Sequence, residues 1–193
     1  MTELVAPSFS YGDVMLQLML PMELPLQKNS FISRVMKRPS MIEIRELLTS
    51  DQDFHMLELA QEMVAESELN ESVDIDEVLM SCIRIRADIE RKGVNVFIAY
   101  DEGKPIGFIL GVTSKAFHRK AIVAEMKLMY IKPVRRGSLT ALLLLKAYER
   151  WAILNGATQL FTGTVNKQHA ERTSKFFEQT GYARVGSLHV KEI

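Results

Sequence analysis

The chain has 193 residues and a mass of 22.0 kDa, enough for one domain plus an appendage. Lys+Arg and Asp+Glu both number 24, so no overall field favours nucleic acid or an anionic membrane surface, and neither partner is expected. The single Cys, Cys82, excludes an intramolecular disulfide; His55, His118, His169 and His189 share no ligand spacing, so no metal site is expected.

Residues 1–40 differ from the rest. They carry Met15, Met19, Met22 and Met36 with little clean periodicity, and a short helix is expected from Gly12 to Leu20, ended by Pro21. The most apolar stretch, Val14 to Leu26, is interrupted by Gln17, Pro21, Glu23 and Pro25 and falls short of the roughly 20 apolar residues of a membrane span. Glu3 and Asp13 stand where a secretory leader would be basic, so a cytoplasmic setting is expected. These 40 residues cannot build a core alone. They read either as an extension lying on the main domain or as a Met-rich docking segment for a partner protein.

From Met41 the pattern becomes regular. Ile42, Ile44 and Leu47 suggest a first strand, and Ser50 or Asp51 caps a helix with Phe54, Leu57, Ala60 and Val64 on one face. A second helix fits Asp74 to Lys92, with Gly93 as its stop. Ile75, Val78, Leu79, Cys82, Ile85 and Ile89 form its apolar side, which makes Cys82 a buried structural thiol. The runs VNVFIAY and PIGFILGV flank Asp101-Glu102-Gly103-Lys104, a hairpin signal. A strand from Ala121 to Ile131 follows, then a Leu-rich helix ended near Asn155 by Gly156. A strand from Gln159 to Val165, a helix from about His169 to Gln179 and closing strands Tyr182–Gly186 and Leu188–Glu192 complete the chain.

The chemistry concentrates where Leu128-Met129-Tyr130-Ile131 meets a Pro and a short turn holding Arg135, Arg136, Gly137 and Ser138 before the Leu-rich helix. A strand that turns through Gly into a helix aims several N–H groups and the positive end of the helix dipole at one spot, which suits phosphate. Glu125 lies upstream on the same strand. Buried there, its carboxyl would have a raised pKa and suit a general base; the alternative is a Glu facing solvent or pairing with Lys127 or Arg119. Glu66, Glu68, Glu71, Asp74 and Asp76 form an acidic stretch that either attracts a cationic amine or is a solvated loop.

Arg136-Gly137-Ser138-Leu139-Thr140-Ala141 resembles the Arg/Gln-x-x-Gly-x-Gly/Ala loop of the GNAT acetyltransferase superfamily. Arg136, Gly137 and Ala141 fit, and Leu139 stands where the middle Gly is expected. Phe176-Phe177-Glu178-Gln179-Thr180-Gly181-Tyr182 is similar to the family's Phe/Leu-Tyr-Glu-x-x-Gly-Phe/Tyr signature, with Phe177 in place of the Tyr that serves as acid. Residues 41–193 resemble the family throughout. The resemblance implies an α/β (α+β) GNAT fold: a mixed, mostly antiparallel sheet of six to seven strands flanked by four helices. It also implies an acetyl-CoA-dependent N-acetyltransferase acting on a small-molecule or protein amine.

In that reading Glu125 and Tyr182 are the catalytic residues. The donor is bound by Tyr130, Ile131, Arg136, Gly137, Ser138, Leu139, Thr140, Ala141 and Asn166, with the backbone near Tyr130 and Ile131 on the pantetheine arm. More narrowly, ERTSKFFEQTGYARVGSLHVKEI and RRGSLTALLLLKAYERWA are similar to small bacteriophage-encoded GNAT-like proteins. That likeness implies an alternative: a virion or assembly protein with little or no catalysis, found in the host cytoplasm or the virion and docking through residues 1–40.

Overall fold

The computed structural model describes residues 41–67, 72–88, 93–163 and 170–186. The expected helix at 12–20 and the strand at 188–192 lie outside them. Strand β1 (Glu43–Glu46) leads to helices α1 (Asp51–Glu66) and α2 (Ile75–Asp88), and strands β2 (Val94–Asp101), β3 (Lys104–Lys115) and β4 (Ile122–Ile131) follow. Helix α3 (Thr140–Leu154), strand β5 (Ala157–Phe161) and helix α4 (Ala170–Gln179) complete the described chain. The strands form one sheet in chain order, β1-β2-β3-β4-β5, antiparallel except for the parallel pair β4–β5.

The GNAT fold expected from the sequence is present, with five strands among the described residues rather than six or seven. Residues 182–186, expected as a strand, follow α4 without joining the sheet. The hairpin forms as the sequence requires. Glu102 and Gly103 take φ of 50° and 77°, the left-handed pair of a two-residue turn whose twist matches the strands it joins.

Each face of the sheet carries its own core. Val96, Ile98, Tyr100, Phe108 and Tyr130 pack with Leu47, with Met56 and Leu59 of α1 and with Cys82 of α2. Ala99, Ile109, Ala124 and Met126 pack with Leu144, Leu145, Tyr148, Trp151 and Ala152 of α3 and Phe177 of α4. The α3 residues recur at helical spacing, the stripe expected of the Leu-rich segment. Gly111 lets α3 approach the sheet closely, since a Cβ there would stand 2.6 Å from the Tyr148 ring.

Helix α1 turns a different face inward from the one its apolar periodicity suggests. Phe54 is 66% exposed, while Gln52, Asp53, Met56 and Leu59 are buried. Polar contacts set this rotation. The Gln52 carbonyl oxygen accepts from the Leu48 and Thr49 amides at 2.7 and 2.9 Å, and its amide donates to the Glu46 carbonyl at 2.9 Å. Asp53 pairs with Arg86 of α2. Helix α2 ends its described course at Asp88, short of the expected Lys92; Val78, Cys82 and Ile85 face the core, while Ile75 is largely exposed. Burial, with the nearby Asp53 charge, pushes the Cys82 thiol up to about 11, as befits a structural thiol.

Candidate functional site

Two irregularities in β4 create the site. Leu110 pairs with Leu128 but Gly111 pairs with Met126, so Lys127 is an extra residue, a β-bulge. The parallel ladder to β5 stops just before it, at Glu125 opposite Phe161. A bulge bends its strand and increases the twist. From Met126 to Ile131, β4 therefore runs on with β3 at one side and, among the described residues, no paired strand at the other.

The direction of the backbone groups along this free edge follows from the ladder. Lys132 donates its N–H to the Ile106 carbonyl at 3.0 Å, and Ile131 stands opposite Gly107. Antiparallel pairs alternate, so the amide and carbonyl of Leu128, Tyr130 and Lys132 face β3, and those of Met129 and Ile131 face the open edge. This corrects the expectation for Tyr130. Its backbone is committed to β3, and its ring is buried among Phe108 and the α1 side chains. Burial first, then the Glu66 and Glu62 carboxylates, push its phenol up to about 12. The bulge also resets the alternation, which brings Glu125, Leu128 and Tyr130 to the face shared with α1 and α2.

Beyond β4 a single 3-10 turn, Pro133–Arg135, leads into the loop before α3. Gly137 takes φ of 80°, a conformation that disfavours any side chain. Ser138 is the local organiser: its hydroxyl donates to the Arg135 carbonyl at 2.6 Å, lies 2.8 Å from the Thr140 hydroxyl and accepts the Thr140 amide at 3.3 Å. Thr140 is fully buried. The hydroxyls of Ser138 and Thr140, expected as ligand donors, are thus engaged with each other and the loop. The amides of Gly137, Leu139, Ala141 and Leu142 have no acceptor among the described residues, the ordinary condition of a helix start. Leu139 is 65% exposed.

The Arg136 side chain is turned to α1. Its Nε donates to the Ile131 carbonyl at 3.0 Å, both terminal nitrogens meet the two Glu66 oxygens, and the guanidinium lies 5.9 Å from the Tyr130 ring centre. Its charge is reinforced by the Glu66 hydrogen bonds. One turn back along α1, Glu62 and Glu58 hold Lys132 at 2.8 and 2.6 Å. A row of glutamates spaced four apart thus ties α1 to the segment after β4, and Glu66 is not an uncommitted attractor for an amine. Glu68 and Glu71 lie outside the described residues, as does Asn166.

Of the two placements the sequence left open for Glu125, the structure has the second: it is about half exposed and paired with Lys127. Tyr182 belongs to the core beside α3: its ring lies 5.7 Å from that of Phe177, and its hydroxyl is buried with no hydrogen-bond partner among the described residues. Burial, with the negative charge of Glu149, holds the phenol protonated far above its ordinary range, so its proton is hard to release to a leaving thiolate. Phe177 is 6% exposed and fills core. Sequence reasoning missed Arg172, in the first turn of α4. Its Nη2 lies 3.7 Å from where a Cβ on Gly137 would stand.

Residues 54–182, more than half of the chain, match the sequence profile of the acetyltransferase (GNAT) family. The chain belongs to the GNAT family. No curated protein matches this GNAT chain by sequence. Among solved structures it is similar to the aminoglycoside N-acetyltransferase AAC(6')-Iy in complex with CoA, with a TM-score of 0.66 and 17% identity over 82% of this chain and 99% of that one. The glucosamine-6-phosphate N-acetyltransferase of Arabidopsis thaliana gives a TM-score of 0.63 at 14% identity, covering 79% of this chain and 98% of its own. The ribosomal-protein-alanine N-acetyltransferase of Brucella melitensis biovar Abortus 2308 gives 0.60 at 15% identity, covering 79% and 99%. These likenesses are of fold. Among the described residues no helix of the GNAT chain is long and apolar enough to cross a membrane, and no group of His, Cys, Asp and Glu could hold a metal ion.

Proposed function

We propose that the chain transfers an acetyl group from acetyl-CoA to an amine by direct attack. One observation carries this reading. The β4–β5 ladder ends at Glu125, leaving the Met129 backbone and the Ile131 amide facing an open edge that leads to the amides of Gly137, Leu139, Ala141 and Leu142, while the Ile131 carbonyl accepts from Arg136. The edge suits the amide-rich pantetheine arm, and the helix start suits the diphosphate. Acetyl-CoA supplies an activated thioester. The Met129 or Ile131 amide is aimed to stabilise charge developing on the acyl oxygen. Glu125, on the face shared with α1 and α2 and open to solvent, takes the amine proton directly or through water.

A turnover assay that follows release of free CoA thiol from acetyl-CoA, with small-molecule and peptide amines as acceptors, tests this. Glu125→Gln should lower turnover about a hundredfold at neutral pH and much less at alkaline pH, where the amine loses its proton unaided. A variant with the wild-type pH profile clears Glu125 of the role. Absence of acetyl-CoA-dependent turnover with every amine favours the second reading. In it the chain is a GNAT-fold interaction or virion-assembly protein, with residues 1–40 engaging a partner protein. The observation favouring this is the family's acid position, held by a buried Phe177 with the Tyr182 hydroxyl sealed beside it.

A further inference from the structure

The loop before α3 is bordered by two arginines, and their surroundings divide the work between them. Arg136, the one carried by the sequence motif, has its Nε on the Ile131 carbonyl and both terminal nitrogens on Glu66, over the Tyr130 ring. Redirecting it to a ligand would cost a bidentate ion pair, a hydrogen bond and a ring contact at a place where both partners are about one-third exposed. Bidentate pairs are geometrically specific and among the stronger ones. Arg172 is in the opposite condition. It is exposed, no carboxylate among the described residues takes it, and its Nη2 overhangs Gly137. It also stands in the first turn of α4, where a cation meets the positive end of its own helix dipole, an unfavourable placement by itself. Around Gly137, then, lie an unpaired guanidinium and the four unsatisfied amides at the start of α3, with no anion among the described residues to balance them.

We propose that Arg172, and not Arg136, is the guanidinium that meets the diphosphate of the coenzyme, and that Arg136 is a brace fixing α1 to the end of β4. This rests on the acetyl-CoA reading above. It also gives Leu139 a physical setting. Where the family pattern brings backbone close to phosphate through a second Gly, this chain reaches the phosphate with a long side chain from α4.

The test is calorimetric titration of the full chain with CoA and with 3′-dephospho-CoA, alongside melting temperatures. Arg172→Gln should weaken both ligands at least about tenfold at an unchanged melting temperature, and Arg172→Lys should recover part of that loss. Arg136→Gln should lower the melting temperature and weaken CoA by a smaller factor than Arg172→Gln. The inference is overturned if wild-type protein binds CoA and Arg172→Gln binds it equally well, or if Arg136→Gln shows the larger loss of affinity. A loss for Arg172→Gln confined to CoA, with 3′-dephospho-CoA unaffected, would move the contact to the 3′-phosphate and overturn it as well. Wild-type protein that binds neither ligand removes the acetyl-CoA reading and this inference together.

Discussion

Deleting Lys127 is expected to destabilise the domain by about 3 kcal/mol or more and to abolish stabilisation by acetyl-CoA. The extra residue does two things. It ends the ladder to β5 just after Glu125, and it shifts the alternation of β4 so that Tyr130 enters the core beneath α1 while Met129 and Ile131 offer their backbone to the open edge. Without it the strand becomes regular. Either the residues after it slide by one, moving a buried tyrosine to the opposite face, or the connection into Pro133 is pulled out of place. In wild-type protein, acetyl-CoA at a hundred times its dissociation constant should add about 2.7 kcal/mol; in the deletion variant that gain should vanish. Lys127→Ala keeps the residue count and should stay within about 0.5 kcal/mol of wild type. Thermal melts with and without ligand give both numbers, and a deletion variant that melts and responds like wild type would show that the bulge does not make the cleft.

Arg86→Met should lower stability by about 3 kcal/mol, a fall in melting temperature of roughly 6–12 °C for a domain of this size. Asp53 is buried in the first turn of α1, and Arg86 of α2 is its charge partner. Removing the cation strands a carboxylate away from water, which costs more than the pair contributes in the intact protein. The double variant Asp53→Leu, Arg86→Met removes both charges and should recover most of the loss. Melting the three proteins side by side decides it. Equal stability of Arg86→Met and wild type would mean that the pair is screened and does not fix α1 against α2.

Local chemistry was legible in the sequence; contacts between distant segments were not. The β2–β3 hairpin rests on Glu102-Gly103, where adjacent residues must take positive φ. The α3 stripe rests on spacing within one helix, and the loop from Arg136 to Ala141 on a contiguous motif. Each of these is settled by residues a few positions apart. Helix α1 carries apolar residues on two faces, so periodicity cannot choose between them. The choice is made by Gln52 reaching back to Glu46 and by Asp53 meeting Arg86, 33 positions on. Arg136 is turned by Glu66, 70 positions before it, and Arg172 comes to Gly137 only through the packing of α4. The bulge had a faint signature: the polar-apolar alternation of Glu125-Met126-Lys127 gives way to four consecutive apolar residues from Leu128 to Ile131. For Glu125 the apolar strand neighbours allowed burial and the nearby Lys127 allowed pairing in solvent, and the second placement is the one the strand adopts.

The central claim, that the split between β4 and β5 receives an acyl-coenzyme, is tested most directly by following backbone amide resonances as acetyl-CoA is added. Saturable shifts should appear at Met129, Ile131, Gly137, Leu139, Ala141 and Leu142, while the amides of the β2–β3 turn at Glu102 and Gly103 stay in place. No binding at millimolar acetyl-CoA, or binding that leaves Met129, Ile131 and Gly137 unmoved, would contradict it.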